Sequence, residues 1–138
     1  MRAINKIVIH CSASHQNVDV DDIRKWHVNE RGWSDIGYHY VITSDGDIQE
    51  GRPIYKAGAH VAGHNHDSIG ICWVGGYKGV DNRTDAQKLA MRELVMRLIV
   101  EFDIEPNNVL GHCDFKGVTK TCPNFDVTAW LLSGVIQK

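Results

Sequence analysis

The sequence predicts an α/β fold, one domain in which helices pack on a mixed β-sheet. Two observations carry this. Short β-branched apolar runs alternate with capped or amphipathic helical stretches along the chain, which is the signature of strands joined by crossovers. One tight turn joins two strand-like segments directly, adding an antiparallel piece to an otherwise crossover-built sheet. A length of 138 residues fits one core, and no repeat, low-complexity stretch or linker divides the chain.

Taken in order, Ile4-Asn5-Lys6-Ile7-Val8-Ile9 reads as a buried strand, bounded by the polar run Cys11 to Ser14. Asp19 or Asp21 can cap a helix carrying Ile23, Trp26 and His27, closed at Arg31-Gly32 with glycine in the expected place. Tyr38 to Thr43 alternates and meets the turn Ser44-Asp45-Gly46, followed by a strand over Asp47 to Glu50. A Gly- and His-rich loop, Ala57 to Asp67, leads into a second buried strand, Ser68 to Val74, stopped by Gly75-Gly76. Thr84-Asp85-Ala86-Gln87 is a capping box, and Leu89, Leu94, Val95, Leu98 and Ile99 are expected to form the apolar stripe of its helix. Asn107 to Gly111 is a short strand ending at His112, and a last helix starts near Asp126 with Trp130 and Leu131 facing inward.

The composition, 43% apolar and 23% charged, is that of a globular protein. A net charge of −2 with no basic face excludes nucleic acid as the main partner. No apolar run reaches the roughly 18 residues that span a bilayer, so no membrane is expected. The apolar stretch in MRAINKIVIHCS is too short for a signal-peptide core, so the chain is expected in the cytoplasm. There the four cysteines are expected to be reduced, and cysteine near histidine then points to metal or catalysis.

Eight histidines supply candidates. His10 and His112 each follow a buried strand, where sheets hold functional side chains rigidly. Cys122 lies in the loop Lys116 to Pro123, which Gly117 lets fold back and Pro123 stiffens. Two imidazoles and a thiolate leave a tetrahedral zinc one open position, the mark of a catalytic site. The rival is His64-Asn65-His66, whose alternate residues share a face if extended, with His60 as a third ligand. Spacing leaves both sets open. His15, His27 and His39 read as loop, helix-flank and sheet-face residues, and Cys11 and Cys113 as small packing groups or a disulfide.

Ile9-His10-Cys11-Ser12-Ala13, Trp26-His27, Gly32-Trp33, Asp35-Ile36-Gly37-Tyr38-His39-Tyr40 and His60, in that order, resemble the zinc amidases of the amidase-2 and peptidoglycan-recognition superfamily. So do Asn65-His66-Asp67-Ser68-Ile69-Gly70-Ile71, Gly75-Gly76, Gly111-His112 and Lys120-Thr121-Cys122-Pro123, nearest to the small amidase endolysins of T-odd coliphages. The resemblance implies one amidase domain over residues 1–138, with a central mixed sheet of about five strands and helices on both faces. It implies His10, His112 and Cys122 as ligands of one catalytic Zn2+, Tyr38 and Lys120 as catalytic residues and His60 as substrate-binding, and it demotes His64 and His66. Lys120 would offer an ammonium to the oxyanion, and Tyr38 would hydrogen-bond the attacking water or the leaving nitrogen. Asn65 and Ser68 read as loop-fixing hydrogen bonders. The stretch from His112 to Cys122 is longer than the family pattern, so the loop carrying Lys120 is expected to sit differently. The start is shorter than in the coliphage proteins.

The activity so implied is hydrolysis of the amide between N-acetylmuramic acid and L-alanine in bacterial peptidoglycan. The expected actor is a monomeric phage endolysin, held in the host cytoplasm until the membrane is breached. A recycling amidase acting on soluble muropeptides shares the same site. The readings of other classes are a non-catalytic peptidoglycan-binding module, disfavoured by Cys122, Tyr38 and Lys120, and an amidase that also binds and inhibits a phage RNA polymerase.

Overall fold

The structure, a computed structural model, describes residues 2–137, with side chains described through Ser133. It contains β1 (Lys6–Cys11), α1 (Val20–Lys25), β2 (Tyr40–Ile42), β3 (Ile48–Glu50), β4 (Ser68–Trp73), α2 (Asp85–Phe102), β5 (Val109–Gly111) and α3 (Val127–Gln137). The five strands form one sheet in the order β3-β2-β4-β1-β5. β1 is parallel to β4 and β5, and β2 to β4, whereas β3 turns back antiparallel to β2, as the tight turn requires.

Side chains alternate across the sheet, and each face finds its own helices. Ile7, Ile9, Ile69, Ile71 and Trp73 point to the face covered by α2 and α3, meeting Met91, Leu94, Val95, Leu98 and Leu131. The other face carries Val41, Cys72 and Val74 against Ile23 of α1 and Ile36. Helices therefore cover both faces.

The α1 capping box uses Asp19 with Asp22, and the helix runs on as a π-turn over Trp26–Glu30, closed by the Arg31 N–H donating to Trp26 O. The Thr84–Gln87 capping box forms as expected. Gln87 does more, because its buried Nε2 donates to Ile42 O and Val74 O, tying α2 to the ends of β2 and β4. That anchor sets which arc of α2 faces inward: Gln87, Ala90, Met91, Leu94, Val95 and Leu98 are buried. Leu89 falls off that arc and is 68% exposed, unlike the expected stripe. β2 is shorter than the alternating run Tyr38 to Thr43, but backbone bonds extend the ladder, with the His39 N–H donating to Gly70 O and the Arg52 N–H to Tyr38 O. No helix among the described residues is long and apolar enough to cross a membrane.

Candidate active site

β1 lies between β4 and β5, and its alternation decides where His10 points. Ile9 and Cys11 face the α2 side, so His10 projects from the α1 face and is almost fully buried. Ile9 pairs with Gly111 in the parallel register, so the next residue of β1, His10, lies beside the residue that follows β5, His112. The two rings are 4.6 Å apart at their centroids. Cys122 completes the group: the ligand atoms of His10, His112 and Cys122 all lie within 4.8 Å of one another.

The loop carrying Cys122 is fastened on several sides. Its carbonyl accepts from the Cys113 N–H at 2.8 Å, and its Sγ accepts from the Cys11 N–H at 3.0 Å. Pro123 O accepts from Trp73 Nε1 at 3.1 Å. Gly111 makes room for this seat, since a Cβ there would lie 2.8 Å from Pro123 Cδ. Gly117 takes a positive φ, +86°, at the point where the loop folds back.

Burial, reinforced by His60 and His112, holds the His10 imidazole well below its ordinary range. Burial and the charge of Lys120 lower His112 as well. Both rings are therefore neutral near pH 7 and offer lone pairs. The Cys11 thiol and burial push the Cys122 thiol up, so it keeps its proton at neutral pH in the metal-free protein. Two neutral imidazoles and a sulfur with one N–H donor make a donor set suited to a divalent, thiophilic cation.

Tyr38 and Lys120 line the same cavity, about 180 Å3 in volume, as do His27, Arg31 and Trp33. The Tyr38 ring centroid is 5.1 Å from that of His10. Burial, then the nearby thiols of Cys72, Cys122 and Cys11, raise the Tyr38 phenol well above its usual value, so its O–H is kept at neutral pH.

Comparison with known proteins accords with this geometry. The profile of the N-acetylmuramoyl-L-alanine amidase family matches residues 1–125. The chain belongs to that family. The amidase is 42% identical over 130 residues to the endolysin of enterobacteria phage T3, covering 90% of this chain and 83% of that one. The corresponding identity to the endolysin of Escherichia phage T7 is 39%, with the same coverage. Among solved structures it resembles the N-acetylmuramoyl-L-alanine amidase LysC from Clostridium intestinale, with a TM-score of 0.83 and 28% identity over 99% of this chain and 87% of that one. It also resembles peptidoglycan recognition protein-LE, solved in complex with a monomeric diaminopimelic acid-type peptidoglycan, with a TM-score of 0.75 and 26% identity over 89% of this chain and 75% of that one.

The rival histidines of the amidase fall elsewhere. Asn65–Asp67 is a 3-10 turn rather than a strand, so His64 and His66 do not share a face. The His66 side chain is 76% exposed beside Asp67, and His64 stacks near Phe115. Among the described residues, His10, His112 and Cys122 are the group close enough to hold a metal ion. His60 bonds His10 directly, at 2.9 Å. His27 and His39 are structural acceptors, their Nδ1 atoms taking the Gly37 and Gly70 N–H groups. All four cysteines are free, and Cys113 is exposed rather than packed. Sequence reasoning passed over Arg31, whose one available signal was its spacing of four from His27 at the end of the same helical stretch.

Proposed function

We propose that this amidase hydrolyses the bond between the lactyl carbonyl of N-acetylmuramic acid and L-alanine, using one zinc ion held by His10, His112 and Cys122. The observation that supports it is the convergence of these three ligand atoms, from β1, the turn after β5 and the following loop, in the cavity they line. When bound, zinc supplies a Lewis acid for the scissile carbonyl and an acidified water at neutral pH. The chain's own groups do the rest. Lys120 brings an ammonium to the charge that develops on the carbonyl oxygen, a contribution of about 3 kcal/mol for one well-placed donor. Tyr38 keeps its proton, so it serves as a hydrogen-bond donor to the reacting centre. The cavity wall at Arg31 and Trp33 offers a cation and an aromatic face to the acidic, aliphatic stem peptide.

The whole chain, residues 1–138, is read as one amidase domain. Its support beyond the matched residues is α3, where Leu131 enters the core and Trp130 O accepts from Arg92. Its biological role is read as that of a phage endolysin, made in the host cytoplasm and acting on the wall once the membrane is breached. The test is product analysis on purified peptidoglycan. New amino groups ending in L-alanine, with about one zinc per chain, are expected. Release of reducing ends without new amino groups would mean a glycosidase and overturn the assignment.

A further inference from the structure

His60 stands outside the triplet, yet both its ring nitrogens are engaged inside the protein. Its Nδ1 is 2.9 Å from His10 Nε2, and its Nε2 is 3.2 Å from Ser68 Oγ. Ser68 Oγ lies 2.7 Å from the carbonyl oxygen of His64. A carbonyl only accepts, so the hydroxyl proton of Ser68 goes to His64 O. The Ser68 oxygen must then accept from His60, which places the His60 proton on Nε2. His60 Nδ1 is left as an acceptor, so His10 donates to it and carries its own proton on Nε2. The remaining nitrogen of His10, Nδ1, keeps its lone pair. The opposite polarity would forfeit the Ser68–His64 bond and would turn the His10 lone pair toward His60.

The seat of His60 is built to hold this alignment. Asn65 Oδ1 accepts from the backbone N–H groups of both His60 and Val61 at 2.9 Å. The ring lies between two glycines, and a Cβ on Gly58 or on Gly70 would come within 2.8 Å of its Cδ2. Ser68 is fully buried at the first position of β4, two residues before the Gly70 that floors the ring.

We propose that Ser68, acting through His60, fixes His10 as the Nε2–H tautomer and so presents Nδ1 as the metal-ligating nitrogen. His60 and Ser68 are then positioning residues, and what His60 turns to the substrate is a carbon edge. This rests on the zinc reading above for its affinity consequence alone, because the tautomers exist without metal.

The experiment pairs two measurements on the full chain. Long-range 15N–1H correlation of the imidazole rings, on zinc-free protein, reads the tautomers. Competition with a chromophoric chelator reads zinc affinity. The wild type is expected to show Nε2–H at both His10 and His60. Ser68→Ala should mix the two tautomers and weaken zinc binding about tenfold, with the thermal melt of the zinc-free protein confirming that it folds. His60→Gln, whose amide oxygen can still accept from His10, should stay within about threefold of wild type, whereas His60→Leu should lose at least about tenfold. Nδ1–H at His10 in the wild type, unchanged zinc affinity in Ser68→Ala, or equal losses in the Gln and Leu variants would each overturn the proposal. A wild type that binds no zinc would instead refute the metal centre, and the tautomer spectra would still decide the relay.

Discussion

His39 makes a quantitative prediction about acid stability. It is buried at the start of the β2 ladder, its Nδ1 accepting from the Gly70 N–H at 3.0 Å and its Nε2–H donating to Lys56 O at 2.8 Å. Protonation would destroy the acceptor and leave the Gly70 N–H facing a cation. Burial, opposed by the Lys56 bond and assisted by the charges of Arg2 and Arg52, takes its pKa from 6.5 to about 4. The folded-state value is thus depressed, so the unfolded chain takes up the proton first as the pH falls. Stability is complete above pH 6.5 and is lost progressively between 6.5 and about 4. At about 1.4 kcal/mol for each pH unit of that gap, the loss comes to about 3 kcal/mol from this residue. His27, also depressed to about 4, by burial and by Arg31 and Arg52, adds a parallel loss in the same window. Urea unfolding of the zinc-free protein between pH 7.5 and pH 5 measures this, above the range in which carboxylates titrate. His39→Gln, which cannot titrate, should start lower at pH 7.5 by about 1–3 kcal/mol and lose roughly a quarter of the wild-type slope, since His10, His27, His60 and His112 are depressed as well. An unchanged slope in that variant would refute the argument.

Three further outcomes follow from the site. Lys120→Ala should retain zinc, measured by metal analysis, and lower kcat about 100-fold, as loss of one oxyanion donor does. Tyr38→Phe should bind zinc and substrate normally but turn over more slowly, by about 100-fold or more, since it loses the proton that burial keeps on the phenol. Gly111→Ala, with its Cβ 2.8 Å from Pro123 Cδ, should destabilise the fold by about 1–3 kcal/mol. It should also weaken zinc binding through the displaced Cys122, both read by melts with and without the metal.

Much of the fold was legible because local chemistry and global packing agree. Asp19 and Thr84 each cap the helix they announce, and the β-branched runs around Ile7 and Ile69 become the adjacent parallel strands β1 and β4. The misplacement of Leu89 has a plain cause. Periodicity fits more than one arc of an apolar helix, and the arc here is chosen by Gln87, a polar residue whose two bonds to strand carbonyls are invisible without the sheet.

That His10 and His112 follow strand-like apolar runs could be read locally, but that those strands are neighbours could not, since apolar periodicity carries no pairing order.

 The first of those runs, bounded by residues 4 and 9, shows the difficulty: nothing in Ile4 to Ile9 says that its partner is Val109 to Gly111. Only the assembled register, Ile9 opposite Gly111, sets His10 beside His112. The rival set failed for a local reason that spacing alone could not supply, because Asn65–Asp67 closes into a 3-10 turn and separates His64 from His66. His60 shows the deeper limit. A lone loop histidine carries no sign of which nitrogen bears its proton, and that assignment needs three contacts from three parts of the chain: His10, Ser68 and the His64 carbonyl. A site's ligands can therefore be read from residue types and order, whereas the groups that orient them become visible only when donors and acceptors are paired in space.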